Sequence, residues 1–207
     1  MRPSLLTSLT QLTFADYFKL SLDIDEVAAH FGYTYARQAL NLPQAPTALP
    51  WITDLHDRLQ SGLPYISLTS EMARREFLIA PIVFDLARFL QVKVKVEFPL
   101  EVSSQLRGTL DYYLQAQQNL LIIEAKNADL QRGFIQLAAE LIALDQSVDV
   151  ALPILYGAVS IGEVWQFGIL DRAARQIVQD VQLYRVPTDV AELVHILIAI
   201  LTAPSTD

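Results

Sequence analysis

At Val92 the hydrophobic period of the chain drops from about 3.6 residues to 2. The run Val92-Lys93-Val94-Lys95-Val96-Glu97-Phe98 alternates apolar with charged residues, as a strand with one buried face does. Two further strands are expected at Leu106 to Leu114 and Leu120 to Lys126, joined by the polar stretch Gln115 to Asn119, which has hairpin length. From Asp129 to about Asp145 the spacing is helical again, with Phe134, Leu137, Ala138, Leu141 and Leu144 on the inner side and Arg132, Gln136 and Glu140 sharing a polar one. Strands then recur at Ile154 to Ile161, Val164 to Asp171 and Gln176 to Val186. A chain that switches period in this order must carry a sheet with helices packed on it.

Upstream of the switch, Val27, Ala28, Phe31, Tyr35, Ala39 and Leu42 predict one helix from Asp23 to Leu42, ended by three prolines between Leu42 and Pro50. A short helix is expected from Trp51 to Gln60. A longer one should run from Ser70, as N-cap, to Leu90, bent or broken at Pro81. The expectation is an α/β fold with a mixed central sheet flanked by helices. Residues 1–65 form a helical N-terminal extension and 66–207 the core.

Asp189 opens the last helix, which is apolar on nearly every side to Leu201. It is either sandwiched inside the domain or buried by a second subunit, so a homodimer through this helix is one expectation. The segment from Val190 to Ala203 carries Glu192 and His195 and is shorter than the roughly 20 residues needed to cross a bilayer. Ser, Thr and Gln interrupt the opening apolar run, unlike a signal-peptide core. A soluble, cytoplasmic protein without membrane contact is expected.

Composition narrows the chemistry. With no cysteine in 207 residues and only three histidines, disulfides, thiolate nucleophiles and Cys-built zinc sites are excluded, and a His-rich metal site is disfavoured. Hard cations held by carboxylates remain. A formal charge of −8 also argues against a protein that coats nucleic acid by charge alone.

Antiparallel pairing about Gln117 puts position 111 opposite 123 or 124, so Asp111 lands beside Glu124. Lys126 leaves the strand on the same face as Glu124, while Leu121, Ile123 and Ala125 form the opposite, core face. Like charges side by side on adjacent strands destabilise a sheet unless something binds between them. A divalent cation would do so, with Lys126 orienting or deprotonating a water and offsetting negative charge. The bland alternative for Glu124 and Lys126 is an exposed ion pair on a strand edge.

Gly108-Thr109-Leu110-Asp111 followed by Leu121-Ile-Ile-Glu124-Ala125-Lys126 resembles the PD-(D/E)xK nuclease superfamily, whose core sets a carboxylate on one strand and E-x-K on the next. The stretch from Ser70 to Pro81 is similar to the first helix of that core as found near the N-terminus of type I restriction subunits and their stand-alone relatives. The resemblance implies a restriction-endonuclease-like fold and a Mg²⁺-dependent endonuclease acting on DNA, with Mn²⁺ as a substitute ion. It implies Glu71, Asp111, Glu124 and the Ala125 carbonyl as metal ligands, and Asp111, Glu124, Lys126 and Gln136 as catalytic residues. Arg74, Arg75 and Arg132 are candidates for phosphate contact. The alternative is a catalytically inactive member of the same fold acting as a binding or regulatory module.

Overall fold

The computed structural model describes residues 5–46, 49–116, 119–148 and 152–203. Eight strands form one mixed sheet flanked by helices. The order is β1 (Thr34–Gln38), β7 (Gln176–Asp180), β6 (Val164–Asp171), β5 (Ile154–Ser160), β4 (Asn119–Ala125), β3 (Arg107–Ala116) and β2 (Val94–Glu101), with β8 (Tyr184–Arg185) also paired to β6. The pairs β1/β7 and β4/β5 are parallel and the others antiparallel. A long helix, α7 (Leu130–Ser147), makes the crossover from β4 to β5.

Each face of the sheet has its own core. On one side α2 (Phe14–Lys19), α3 (Ile24–His30) and α7 cover Leu120 and Ile122 of β4. On the other, α4 (Trp51–Gly62), α6 (Ala80–Leu90) and α8 (Val190–Thr202) cover Leu121, Ile123 and Ala125. β4 is therefore buried on both faces, as its near-continuous apolar run requires. The apolar residues of α8 are spent within the chain: Leu193, Val194, Ile196 and Leu197 are fully buried in this second core. No helix among the described residues is long and apolar enough to cross a membrane.

The helix expected from Asp23 to Leu42 stops at His30. Gly32 adopts φ +81°, its N–H donates to the Ala29 carbonyl, and the Tyr33 N–H reaches back to Ala28. This paired arrangement terminates helices wherever glycine can take the left-handed conformation. The chain then extends as β1, so the 1–65 segment also supplies an edge strand to the main sheet. The run expected from Gln176 to Val186 is likewise divided, because the buried Asp180 side chain accepts from the Leu40 and Gln182 N–H groups and turns the chain after β7.

The helix at Ser70 starts where expected: the Ser70 hydroxyl accepts from the Ala73 N–H at 3.1 Å. It runs as α5 (Glu71–Arg74), opens into a π turn from Arg75 to Ile79, and continues as α6 with Pro81 in its first turn. Proline lacks an N–H and crowds the preceding turn, so the register widens before it, and the Ala80 N–H bonds to Arg75 five residues back. Ser70→Ala should cost about 1 kcal/mol in urea unfolding through the lost cap.

Helix α7 is seated unusually close to the sheet by glycine sockets. A Cβ on Gly133 would lie 2.7 Å from Val159 and 3.1 Å from the Lys126 stem; one on Gly157 would lie 2.8 Å from Leu137; one on Gly168 would lie 2.4 Å from Phe134. Small residues at these crossings set how deep α7 sits, and hence where its polar side chains end.

Candidate functional site

The β3/β4 ladder begins its last pairing at Tyr112 with Ile123, so Asp111 stands one step beyond it, level with Glu124. At that point β3 and the edge strand β2 both change phase. Leu110 packs into one core and Tyr112 into the other, and across β2 Glu97 takes φ +51° between Val96 and Phe98. A left-handed non-glycine residue marks local strain of the kind found at functional positions. The twist frees the Asp111 side chain to replace the missing ladder bond: its Oδ2 accepts from the Ala125 N–H at 2.8 Å. Its Oδ1 faces Arg75 Nη1 at 3.4 Å.

Glu124, at the end of β4, is 1% exposed and turns toward α7. Its Oε1 accepts from the Lys126 ammonium and, at 2.7 Å, from Gln136 Nε2, whose second hydrogen goes to Glu140 Oε1 at 2.9 Å. Gln136 and Glu140 are 3% and 1% exposed, so the polar side of α7 is a solvated face only at Arg132 and is buried from Gln136 to Glu140. There it is buried against the one acidic position of β4, where the glycine sockets let the helix approach the sheet closely. Glu140 is the site residue missed by sequence reasoning. Its signal was the i, i+4 step from Gln136.

Burial pushes the Glu124 carboxyl up to about 7, the nearby Asp111 charge pushes the same way, and Lys126 opposes both. The Glu140 carboxyl is also held well above the ordinary glutamate range, by burial first and then by the Glu124 charge. Burial pulls the Lys126 ammonium down, but Glu124, Asp111 and Glu71 outweigh it and leave the pKa above that of an ordinary lysine. Lys126 is therefore a fixed cation, and the Phe18 ring of α2 flanks it at 5.3 Å.

A stability trend follows. An exposed glutamate titrates near 4.5 and Glu124 near 7, so between these values the folded chain holds a proton that the unfolded chain has released. By linkage the fold weakens as pH rises through this window, by about 2–3 kcal/mol. Urea midpoints measured from about pH 5 to 8 should fall, and Glu124→Gln should flatten that part of the slope.

The structure brings Asp111, Glu124, Lys126 and Gln136 together with the Ala125 backbone. Glu71 is not packed onto them. It lines an adjacent cleft of about 660 Å³ with Arg75, Glu97 and Tyr112, and reaches Lys126 only through its charge. Among the described residues no cluster of three or more His, Asp or Glu side chains has metal-holding spacing. The two remaining carboxylates nevertheless fit a hard divalent ion, which is commonly held by one or two carboxylates with water and substrate phosphate completing the shell. Among the described residues Glu124 Oε2 is buried with no donor against it, as is Gln136 Oε1 beside it, and the Glu124 carboxyl also meets that of Glu140, so either a shared proton or a bound ion would satisfy this oxygen.

The histidines serve elsewhere: His195 bonds the Ala45 carbonyl, His30 bonds Gln105 and His56 bonds Asp57. Neither a protein-family model nor a curated protein sequence matches the chain.

Proposed function

We propose that the protein is a divalent-metal-dependent phosphodiester hydrolase acting on DNA, built on a restriction-endonuclease-like core. The observation that carries this reading is Glu124: a buried carboxylate at the carboxyl end of a central strand, level with Asp111, paired with Lys126, and left with one unsatisfied oxygen. Ligands in open α/β sheets bind at these strand ends.

In this reading Asp111 and Glu124 hold Mg²⁺ or Mn²⁺, which polarises the phosphate and helps activate water when bound. Gln136, fixed by Glu140, holds the Glu124 carboxylate in place. Lys126 keeps its proton, so its part is to orient the attacking water and offset negative charge on phosphorus, rather than to act as base. The acidic residues around the cleft, Glu71, Glu76 and Glu97, make a cation necessary before a polyanion can approach.

Purified protein should cut DNA in Mg²⁺ or Mn²⁺ and be inert in chelator. A second reading, a non-catalytic binding or regulatory module, is favoured by one observation: Arg75 and the Ala125 N–H already occupy both Asp111 oxygens. Calorimetry separates the two. Absence of divalent binding to the wild type would remove the enzymatic reading.

A further inference from the structure

We propose that Arg75 is the phosphate-binding residue of this site, and that in the cation-free protein its guanidinium is latched onto Asp111, so that cation and DNA bind cooperatively. The inference rests on the nuclease reading above.

Three arginines lie near the site, and their surroundings differ. Arg74 is spent on scaffolding: it donates to the Ile161 carbonyl at 2.9 Å, to Glu163 at 2.7 Å and to Asn127 at 3.3 Å, tying the helix to the β5–β6 turn. Arg132 lies on the surface of α7 beside Asp129 at 3.5 Å. Arg75 projects from the π turn into the cleft, its side chain 20% exposed, with Asp111 at 3.4 Å, Glu97 at 3.9 Å and the Tyr112 ring centroid at 5.5 Å.

Two features make this contact exchangeable. Charge-assisted N–H···O bonds run to about 2.7–2.9 Å, and well-formed arginine–carboxylate pairs are bidentate. The Arg75–Asp111 approach is longer than that and uses one nitrogen. Of the five donors of the planar fork, those not turned to Asp111, Glu97 or the Tyr112 hydroxyl can meet phosphate oxygens. Once a cation engages Asp111, the guanidinium loses the nearer of its two counter-charges and keeps only the exposed Glu97 at 3.9 Å while still facing the cleft, and a phosphodiester oxygen is the replacement anion. Because the same carboxylate is contested by arginine and cation, whatever binds Arg75 strengthens cation binding, and the reverse, by the same factor.

The test uses anisotropy of a short fluorescein-labelled DNA duplex, with Ca²⁺ in place of Mg²⁺ to prevent cleavage, and calorimetry of Mn²⁺. Wild type should bind the duplex about tenfold tighter with Ca²⁺ than without. Arg75→Ala should lose about tenfold in Ca²⁺, with the log–log salt slope falling by about one, while binding Mn²⁺ as tightly as wild type or more so. Asp111→Asn should release the latch and raise cation-free DNA affinity, and adding Arg75→Ala should erase that gain. Arg75→Lys, which keeps the charge without the fork, should fall between wild type and Arg75→Ala, and it stands in for the alanine variant if that one does not fold. Wild-type DNA affinity in either Arg75 variant, or an Asp111→Asn gain that survives loss of Arg75, would overturn the proposal alone. A wild type that takes up neither Mn²⁺ nor DNA overturns the nuclease reading and this inference with it.

Discussion

Lys126→Ala is expected to abolish DNA cleavage, by at least about 10²–10³-fold, the usual effect of deleting one preorganised donor from a transition-state site. Two consequences of burial accompany it. Among the described residues the ammonium is the one cation paired with a carboxylate that is 1% exposed, and removing one member of a buried pair costs about 3–5 kcal/mol if the other stays charged. Glu124 escapes part of this by taking a proton, so its titration should move above about 7 and metal affinity at neutral pH should fall. Lys126→Met separates chemistry from packing. Its side chain keeps the stem against Gly133, and circular dichroism should report a folded protein with no cleavage. Cleavage that persists in either variant would mean that Lys126 is not part of the chemistry.

Phe134→Ala should be the most damaging single change to stability, about 3–5 kcal/mol in urea unfolding. The ring is fully buried and sits in the socket of Gly168, where an added Cβ would come within 2.4 Å of it. Gly168→Ala alone should cost about 1–3 kcal/mol by overpacking. In the double variant the new methyl partly fills the space left by the ring, so the two costs should sum to less than their separate values. Strict additivity would mean that α7 is not seated through this contact. Since Gln136 and Glu140 ride on the same helix, Phe134→Ala should also lower divalent affinity.

Much of the site was legible because it is local. Asp111, Glu124 and Lys126 belong to one hairpin, and alternation alone places them; Tyr112 pairs with Ile123, within one residue of the expected register. The turn tip at 117–118 lies outside the described residues. What escaped was long-range or ambiguous. Val27, Ala28, Phe31 and Tyr35 satisfy a helical pattern whether or not the helix continues, and only Gly32 marks its end. Glu140 carried the right spacing, yet a polar helix stripe normally faces water; here the facing strand supplies an acid and the helix is seated close against it. Arg75 meets Asp111 across 36 positions of chain, through a π turn that Pro81 signals only as a bend. Gly157 and Gly168, sitting inside strands, were the visible sign of close packing, because glycine there has no local advantage.

The parallel pairing of Thr34 with Gln176 gives the assembly of this protein a direction in time. The β2–β3–β4 and β5–β6–β7 runs are joined by short-range contacts and can organise as soon as they exist, whereas β1 must close a loop of more than a hundred residues. On a ribosome β1 is thus made before the other strands of this sheet and used last: residues 34–38 wait as an unpaired edge until β7 emerges. The helices α2 and α3, which precede that strand and pack on α7, can shelter the waiting segment only after α7 has been synthesised. The wall that Phe18 contributes beside Lys126 therefore belongs to a late stage of folding, although its residues are synthesised before every strand of the sheet.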